Sequence, residues 1–255
     1  MVELKTQREI DAMRAAGKVV ADALAAVREH AAVRVRLNEL DQVARDVLAR
    51  AGATSPFLGY QPSFASSPFP AVICTSVNDA ALHGIPGRRR LAEGDLLSVD
   101  CGATLHGWTG DAAISLIVGE PQEADVRLIE TAESALRAGI AAAVVGAKLG
   151  DISAAIGTIG RAAGYGINTD YGGHGIGRTM HEAPSVPNEG RPGRGMTLRA
   201  GMTIAIEPWF LSGGQDSYRV DPDGWTLRSG DSSRAAHVEH TIAVTNDGPL
   251  VLTAA

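Results

Sequence analysis

Four acidic residues occupy matching places in the two halves of the chain. The segment Leu91–Asp100 (LAEGDLLSVD) aligns with Leu198–Glu207 (LRAGMTIAIE), so that in both a carboxylate follows a glycine turn and an apolar run. In the same way 111–116 (DAAISL) aligns with 239–244 (EHTIAV). This repeat predicts two similar halves around a pseudo-twofold axis. The acids expected at the join are Asp100, Asp111, Glu207 and Glu239.

Carboxylates at the ends of apolar strands need partners, because burying an unpaired charge is costly. Any one of the four acids has the alternative interpretation of an ordinary strand-end residue that faces water. The matched spacing in both halves makes four such coincidences improbable. Two divalent cations would balance four negative charges, and that is the arrangement of a two-metal hydrolase.

The glycine-rich segment 172–184 (GGHGIGRTMHEAP) supplies two histidines, His174 and His181. Their spacing equals two helical turns and would put both on one helix face. The glycines at 172, 173, 175 and 177 argue against a helix and favour turns and close backbone approach. We therefore expect separate roles, with His174 completing the set of metal ligands.

The patterns around these residues predict an α+β protein. A capping box at 6–9 begins one helix, and a second runs from the N-cap Asn38 to Gly52. The second half repeats this with helices over 123–145 and from the N-cap Asp151 to about 163. Strands are predicted at 71–75, 96–100, 113–118, 202–207 and 238–244. We interpret residues 1–255 as a single catalytic domain, with pseudo-symmetric halves at about 1–120 and 121–255.

Composition excludes several classes of function. The chain has 255 residues, 45% of them hydrophobic, which is enough for a full core. Its net charge of -6 argues against binding DNA. No apolar stretch is long enough to span a bilayer and no apolar signal core is visible, so we expect no membrane partner and a cytoplasmic location. Cys74 and Cys101 are too few for a disulfide framework.

Five motifs in order resemble those of the bacterial type I methionine aminopeptidases, which share the pita-bread fold with aminopeptidase P and prolidase. They are VNDAALHGIP at 77–86, VD at 99–100 with GD at 110–111, GHGIG at 173–177, IEP at 206–208 and VEHTI at 238–242. The resemblance covers nearly the whole chain. It implies helix pairs, related by a pseudo-twofold axis, packed on a curved antiparallel sheet.

The resemblance also implies the metal ligands and the metals. The ligands are Asp100, Asp111, His174, Glu207 and Glu239, with Asp111 and Glu239 bridging two divalent ions. One imidazole and four carboxylates form an oxygen-rich set that suits Co2+, Mn2+ or Fe2+ better than a zinc selected by thiolates.

The implied reaction removes the N-terminal methionine from nascent proteins and peptides. A water that bridges the ions attacks the first peptide bond, and Glu207 takes its proton. His181 stabilises the charged oxygen, while His83 bonds the amide nitrogen that follows the scissile carbonyl. An apolar, narrow pocket for the methionine side chain is expected to be lined by Tyr60, Phe69, Cys74 and Trp225. The histidines at 30, 106, 237 and 240 are interpreted as surface or satisfied core groups.

Three departures from the family pattern bear on specificity and leave the metal ligands untouched. The loop 61–70 is two residues longer than the usual form, Phe57 stands where a second cysteine is common, and Trp209 stands where methionine is common.

Other functions and partners remain open at this point. A dipeptidase or Xaa-Pro aminopeptidase of the same fold would share the five ligands, although those relatives usually carry a separate N-terminal domain. A catalytically inactive binding module would usually have lost ligands. We expect a monomer whose partner is the N-terminal methionine of nascent polypeptides. The basic run 88–90 is interpreted as a solvated loop, with contact to the ribosome surface as the alternative.

Overall fold

The chain forms four helices and thirteen strands over residues 2–63 and 65–254, the part that this computed structural model describes. The helices are α1 (Gln7–His30), α2 (Leu37–Arg50), α3 (Glu123–Ala142) and α4 (Leu149–Ala162). The strands are β1 (Ile73–Val77), β2 (Ala80–Leu82), β3 (Asp95–Leu105), β4 (Trp108–Val118), β5 (Gly173–Gly175), β6 (Glu182–Val186), β7 (Thr203–Ile206), β8 (Trp209–Leu211), β9 (Tyr218–Val220), β10 (Leu227–Ser229), β11 (Ala235–His237), β12 (Glu239–Thr245) and β13 (Gly248–Val251). No helix in the described ranges is long and apolar enough to cross a membrane.

Helix α1 begins at the predicted capping box, where the Glu9 carboxylate accepts hydrogen bonds from the Thr6 backbone N–H and hydroxyl at 2.8 Å. The predicted N-caps Asn38 and Asp151 are wrong, because α2 and α4 start at Leu37 and Leu149. Each start is fixed instead by an acid in the third helical position that reaches back to the chain. The Asp151 carboxylate accepts the Lys148 N–H at 2.7 Å, and Glu39 holds the equivalent place in α2.

The main sheet is antiparallel and joins the two halves of the chain. Its strands follow the order β1, β3, β4, β12, β7, β5, β6, with β13 also paired to β12. The halves meet where β4 pairs with β12, at Ala113 opposite Glu239 and Ala112 opposite His240. One apolar core packs α1 and α2 against β3, and a second packs α3 and α4 against β7 and β12. This join is therefore the place where side chains of both halves can meet.

The repeat predicted from the sequence is visible in four isolated single-residue β-bridges. Arg36 pairs with Arg90 at the start of α2, and Lys148 pairs with Thr197 at the start of α4. Each half has a second bridge, Thr54 with Thr104 in the first and Gly166 with Leu211 in the second. In both halves the second bridge follows the first at the same distance along the sequence. The segments around the two helix pairs are thus bridged to the rest of the chain at equivalent positions.

Candidate metal centre and substrate pocket

One cavity of about 330 Å³ brings together all the residues that the sequence predicts for a site. Asp100 comes from β3, Asp111 from β4, His174 from β5 and Glu239 from the first position of β12, while Glu207 directly follows β7. The other predicted residues on its wall are His83, His181, Tyr60, Phe69, Cys74 and Trp225. Both halves contribute acids, as the repeat requires.

Of the carboxylates in this cavity, Asp111 and Glu239 are buried, Asp100 and Glu207 are partly buried, and three of the four are incompletely paired. Asp111 is 4% exposed and Glu239 is 2% exposed. One oxygen each of Asp100, Asp111 and Glu239 has no hydrogen-bond partner among the described residues. Burial raises the pKa of Asp100 to about 6, and burial together with the neighbouring acids raises the pKa values of Asp111 and Glu239 well above the ordinary range. Buried oxygens without donors fit a cation.

The nitrogen and oxygen atoms in the centre lie close enough together to hold a metal ion. Asp111, His174 and Glu239 offer atoms within 4.8 Å of one another, and so do Glu207, His237 and Glu239. Glu207 lies between two imidazoles, with Oε1 3.7 Å from His174 Nε2 and Oε2 3.5 Å from His237 Nε2. A buried set of carboxylates and imidazoles fits a divalent first-row transition metal.

His237, which the sequence interpretation left among surface or satisfied core groups, belongs to this cluster. It is 2% exposed, and its Nε2 has no hydrogen-bond partner within the described ranges. A usable signal was present, because residues two apart on an extended segment point the same way, and His237 precedes Glu239 by two. His240 does point elsewhere, and its Nδ1 lies 2.8 Å from the Thr253 hydroxyl.

The glycine-rich segment is a strand and a turn, and the expectation that it is not a helix is confirmed. A β-carbon at Gly173 or Gly175 would clash with the carbonyl oxygens of Ala205 and Ala183, so both positions require glycine. His174 Nδ1 lies 3.0 Å from the Gly175 carbonyl oxygen. With Nδ1 donating there, the imidazole presents Nε2 as an acceptor or ligand on the side of Glu207.

The two other predicted histidines are neutral. Burial lowers the pKa of His83 to about 4, and burial with the nearby His174 lowers the pKa of His181 to about 4. The His181 ring lies 4.3 Å from the His174 ring between centroids. The His83 backbone has a φ of 56°, and its ring lies 6.3 Å from that of Trp225. Each neutral imidazole carries one N–H to donate.

An apolar wall borders the cluster of carboxylates and imidazoles. The rings of Phe69 and Trp225 lie 5.1 Å apart and those of Phe57 and Phe69 lie 6.4 Å apart, both edge to face. Met180, which the sequence did not point to, and Cys74 complete this wall. The long loop is tied to the wall, because the Trp225 indole N–H donates to the Ser67 carbonyl oxygen at 3.0 Å.

The two single-residue departures from the family pattern have different places in the structure. Phe57 lines the cavity, and its ring rests on Gly102, where a β-carbon would lie 2.8 Å from Phe57 Cε1. Trp209 is fully buried outside the cavity and packs with Leu82 and Leu211. Phe57 therefore acts on the pocket directly and Trp209 only through the scaffold.

Comparison with known proteins places this fold and site among the metallopeptidases, since residues 11–246 match the model of metallopeptidase family M24. Methionine aminopeptidase 1 of Mycobacterium tuberculosis is 50% identical over 260 residues, covering 99% of this chain and 95% of that protein. The crystal structure of methionine aminopeptidase from Thermotoga maritima has a TM-score of 0.95 at 38% identity and covers 100% of both chains. The chain belongs to the methionine aminopeptidases of metallopeptidase family M24.

The fold predicted from the sequence is confirmed by the same comparisons. Prolidase from Pyrococcus furiosus, at 22% identity, has a TM-score of 0.76 and covers 99% of this chain and 65% of that chain. This likeness shows a common pita-bread fold and nothing about substrates. Membership of a metallopeptidase family also confirms the use of divalent metal.

Proposed function

We propose that this protein removes the N-terminal methionine from nascent proteins and peptides, using two divalent ions, Co2+, Mn2+ or Fe2+. The observation that carries the proposal is an apolar pocket beside a buried acidic centre in one cavity. Such a pocket suits a thioether side chain. Residues 1–255 would act as one catalytic domain.

The proposed ligands are Asp100, Asp111, His174, Glu207 and Glu239. Asp111 and Glu239 would hold metal from both halves of the chain, because each has an unpartnered buried oxygen and they lie on paired strands. When bound, the ions supply Lewis-acid chemistry, which makes water nucleophilic near neutral pH and polarises a carbonyl group.

Glu207 is the proposed proton acceptor. Burial acts to raise the pKa of its carboxyl, but the imidazoles of His237 and His174 hold that pKa below its ordinary value. An ionised carboxylate can take a proton from the attacking water and pass it to the leaving amine. The neutral His181 is proposed to donate its N–H to the carbonyl oxygen as negative charge develops there. His83 is proposed to bond the amide nitrogen that follows the scissile carbonyl.

The pocket for the methionine side chain is proposed to be the wall formed by Tyr60, Phe69, Cys74 and Trp225, to which we add Phe57. Support comes from the mutual packing of Phe57, Phe69 and Trp225. Tyr60 lies above His181, with ring centroids 5.4 Å apart. The substrate side chain and the scissile bond would thus be held by neighbouring residues.

Protein reconstituted with Mn2+ is expected to cleave the tripeptide Met-Ala-Ser and to leave acetyl-Met-Ala-Ser intact, because acetylation removes the basic amine that an acidic centre attracts. Peptides of the Xaa-Pro type should be at least about a hundredfold poorer in kcat/KM. Release of free methionine, followed by chromatography, is the measurement. Cleavage confined to the Xaa-Pro peptides would replace the proposal by a prolidase-like function. No turnover and no bound Mn2+ or Co2+ would indicate a binding module.

His237 is proposed to hold the Glu207 carboxylate in place. Its Nε2 is 3.5 Å from Glu207 Oε2 and 3.9 Å from Glu239 Oε2. Groups that orient a ligand carboxylate commonly affect metal affinity by about 10–100-fold. His237→Leu should therefore weaken Mn2+ binding by that factor in calorimetric titration, whereas His237→Gln, which keeps an N–H donor, should lose less. Equal affinities for the Leu variant and the wild type would reduce His237 to a packing residue.

We also propose that the protein acts as a monomer in the cytoplasm. Contact with the ribosome surface through 88–90 has less support, because two of the three arginines have partners within the chain. The Arg89 guanidinium lies 3.2 Å from the Asp95 carboxylate, and Arg90 donates to the Arg34 carbonyl oxygen at 2.6 Å.

A further inference from the structure

A lysine at the start of the chain has its ammonium group buried beside the site. The Lys5 side chain is 2% exposed, and Nζ donates to Glu182 Oε2 at 2.8 Å. A second acid, Glu3, lies 3.5 Å away but is 59% exposed, so it contributes little. Lysine is rarely buried to this extent without a specific partner, and here that partner is Glu182.

Glu182 shapes the turn that carries His181. Its other oxygen, Oε1, accepts the backbone N–H groups of Arg178 at 2.8 Å and Thr179 at 3.2 Å. The Thr179 hydroxyl in turn donates to the His181 carbonyl oxygen at 3.3 Å. The Glu182 carboxylate thus binds the beginning of the turn, and His181 lies between those bonded residues and Glu182 itself. These bonds fix the backbone of the turn from which the His181 side chain projects.

The path of the lysine side chain is built into the surrounding backbone. A β-carbon at Gly177 would lie 2.7 Å from Lys5 Nζ and 2.8 Å from Glu182 Oε1, so glycine leaves the space that the ion pair uses. The Lys5 backbone N–H donates to the Gly201 carbonyl oxygen at 2.7 Å. Helix α1 starts two residues later, which anchors the segment from the other side. Main chain and side chain are therefore both fixed.

We propose that Lys5 is a positioning residue for His181, acting through the Glu182 carboxylate. The ion pair connects residues that are 177 positions apart and leaves the metal ligands untouched. Burial acts to raise the pKa of the Glu182 carboxyl, but the hydrogen bond from Lys5 and those from the Thr179 and Arg178 N–H groups hold it below its ordinary value. The inference rests on the role proposed above for His181 and adds the device that holds it.

The test is a double-mutant cycle with Lys5→Met and His181→Ala in the Mn2+-loaded enzyme. Lys5→Met keeps an unbranched side chain that is one heavy atom shorter and removes the charge. We expect kcat for Met-Ala-Ser to fall about 30-fold, since displacing a group at the reacting centre by about 1 Å can cost up to a hundredfold. KM and Mn2+ affinity should stay within about threefold. In the His181→Ala background the same change should lower kcat by less than about threefold, because its route of action is already gone.

Two further variants separate positioning from stability. Glu182→Gln removes the charge from the other partner and should show the same loss in kcat. It replaces Lys5→Met as the test if that variant folds poorly. Arg234→Met breaks a comparable ion pair, in which Arg234 lies 2.5 Å from the buried Asp125, remote from the turn. It should lower the thermal midpoint and keep kcat.

The proposal about Lys5 is overturned if Lys5→Met and Glu182→Gln both retain kcat, or if Lys5→Met lowers kcat equally with and without His181. Full turnover in the single variant His181→Ala would instead remove the role proposed for His181. The two failures are therefore distinguishable.

Discussion

Replacing Asp111 by Asn is expected to abolish metal binding and turnover while making the metal-free protein more stable. Asp111 is buried with an unpartnered oxygen, and burial and the nearby carboxylates raise its pKa well above the ordinary range. Removing an acid that the folded protein ionises only at a cost should stabilise the metal-free fold near neutral pH by about 1–2 kcal/mol. In a domain of this size that corresponds to a rise in thermal midpoint of about 2–8 °C.

With metal present we expect the wild type to be more stable than Asp111→Asn. The wild type should gain about 2.7 kcal/mol when Mn2+ is present at 100 times its dissociation constant. Asp111→Asn should show no such shift, and kcat/KM for Met-Ala-Ser should fall by about a thousandfold or more, because several kcal/mol of Lewis-acid stabilisation is lost. Differential scanning fluorimetry with and without Mn2+ measures the stability, and the peptide assay measures the turnover.

The matched control is Asp95→Asn, which changes an equally buried aspartate that is fully paired. Asp95 accepts hydrogen bonds from the Asn78 amide and the Ala92 N–H at 2.8 Å and lies 3.2 Å from Arg89. Its replacement should destabilise the protein and leave the metal-induced shift intact. If the two variants behaved alike without metal, the acids of the cavity would not be the uncompensated cluster described above.

The two histidines of the glycine-rich segment should separate cleanly on replacement. His174→Ala is expected to lose Mn2+ affinity, because Nδ1 is held by the Gly175 carbonyl oxygen and Nε2 lies 3.7 Å from Glu207. His181→Ala is expected to bind Mn2+ as the wild type does and to lose about 10²–10³-fold in kcat, the usual loss for a donor to a developing oxyanion.

Calorimetric titration with Mn2+ and steady-state kinetics on the same preparations distinguish the two roles. His30→Ala is the control, since His30 is exposed at the end of α1 and should affect neither measurement. Parallel loss of metal in His181→Ala would make His181 a ligand and not a hydrogen-bond donor.

The acids of the site were predictable because the local sequence pattern that contains them occurs in both halves of the chain. Asp100 and Glu207 follow the same local pattern, and a pattern repeated in two halves needs no knowledge of tertiary contacts. His174 could also be predicted from local sequence, since the glycines around it indicate close backbone packing. The arrangement of short strands such as β5 and β8 could not be predicted, because three residues of strand carry almost no periodicity. The wall residue Met180 lies in no strand and belongs to no such pattern.

The roles of Lys5 and His237 could not be obtained in the same way. A lysine near the start of a chain is solvated by default, and only a partner 177 positions away makes Lys5 a buried group. His237 carried a local indication in its two-residue offset from Glu239, but its importance depends on Glu207, which another strand supplies. Long-range pairing decides both cases, and sequence patterns report it only where it repeats.

The pairing of β4 with β12 joins the two halves of the chain directly beside the acids of the candidate metal centre. The Asp111 N–H donates to the Thr241 hydroxyl at 2.9 Å, and that hydroxyl donates back to the Asp111 carbonyl oxygen at 2.8 Å, so strands of opposite halves are stitched next to the acids. Neither half carries the full set of proposed ligands. An ion bound by them would cross-link the halves, and we expect it to leave only when the pairing of β4 with β12 opens. Exchange of labelled metal and amide hydrogen exchange at 111–113 and 239–241 should then report the same opening event.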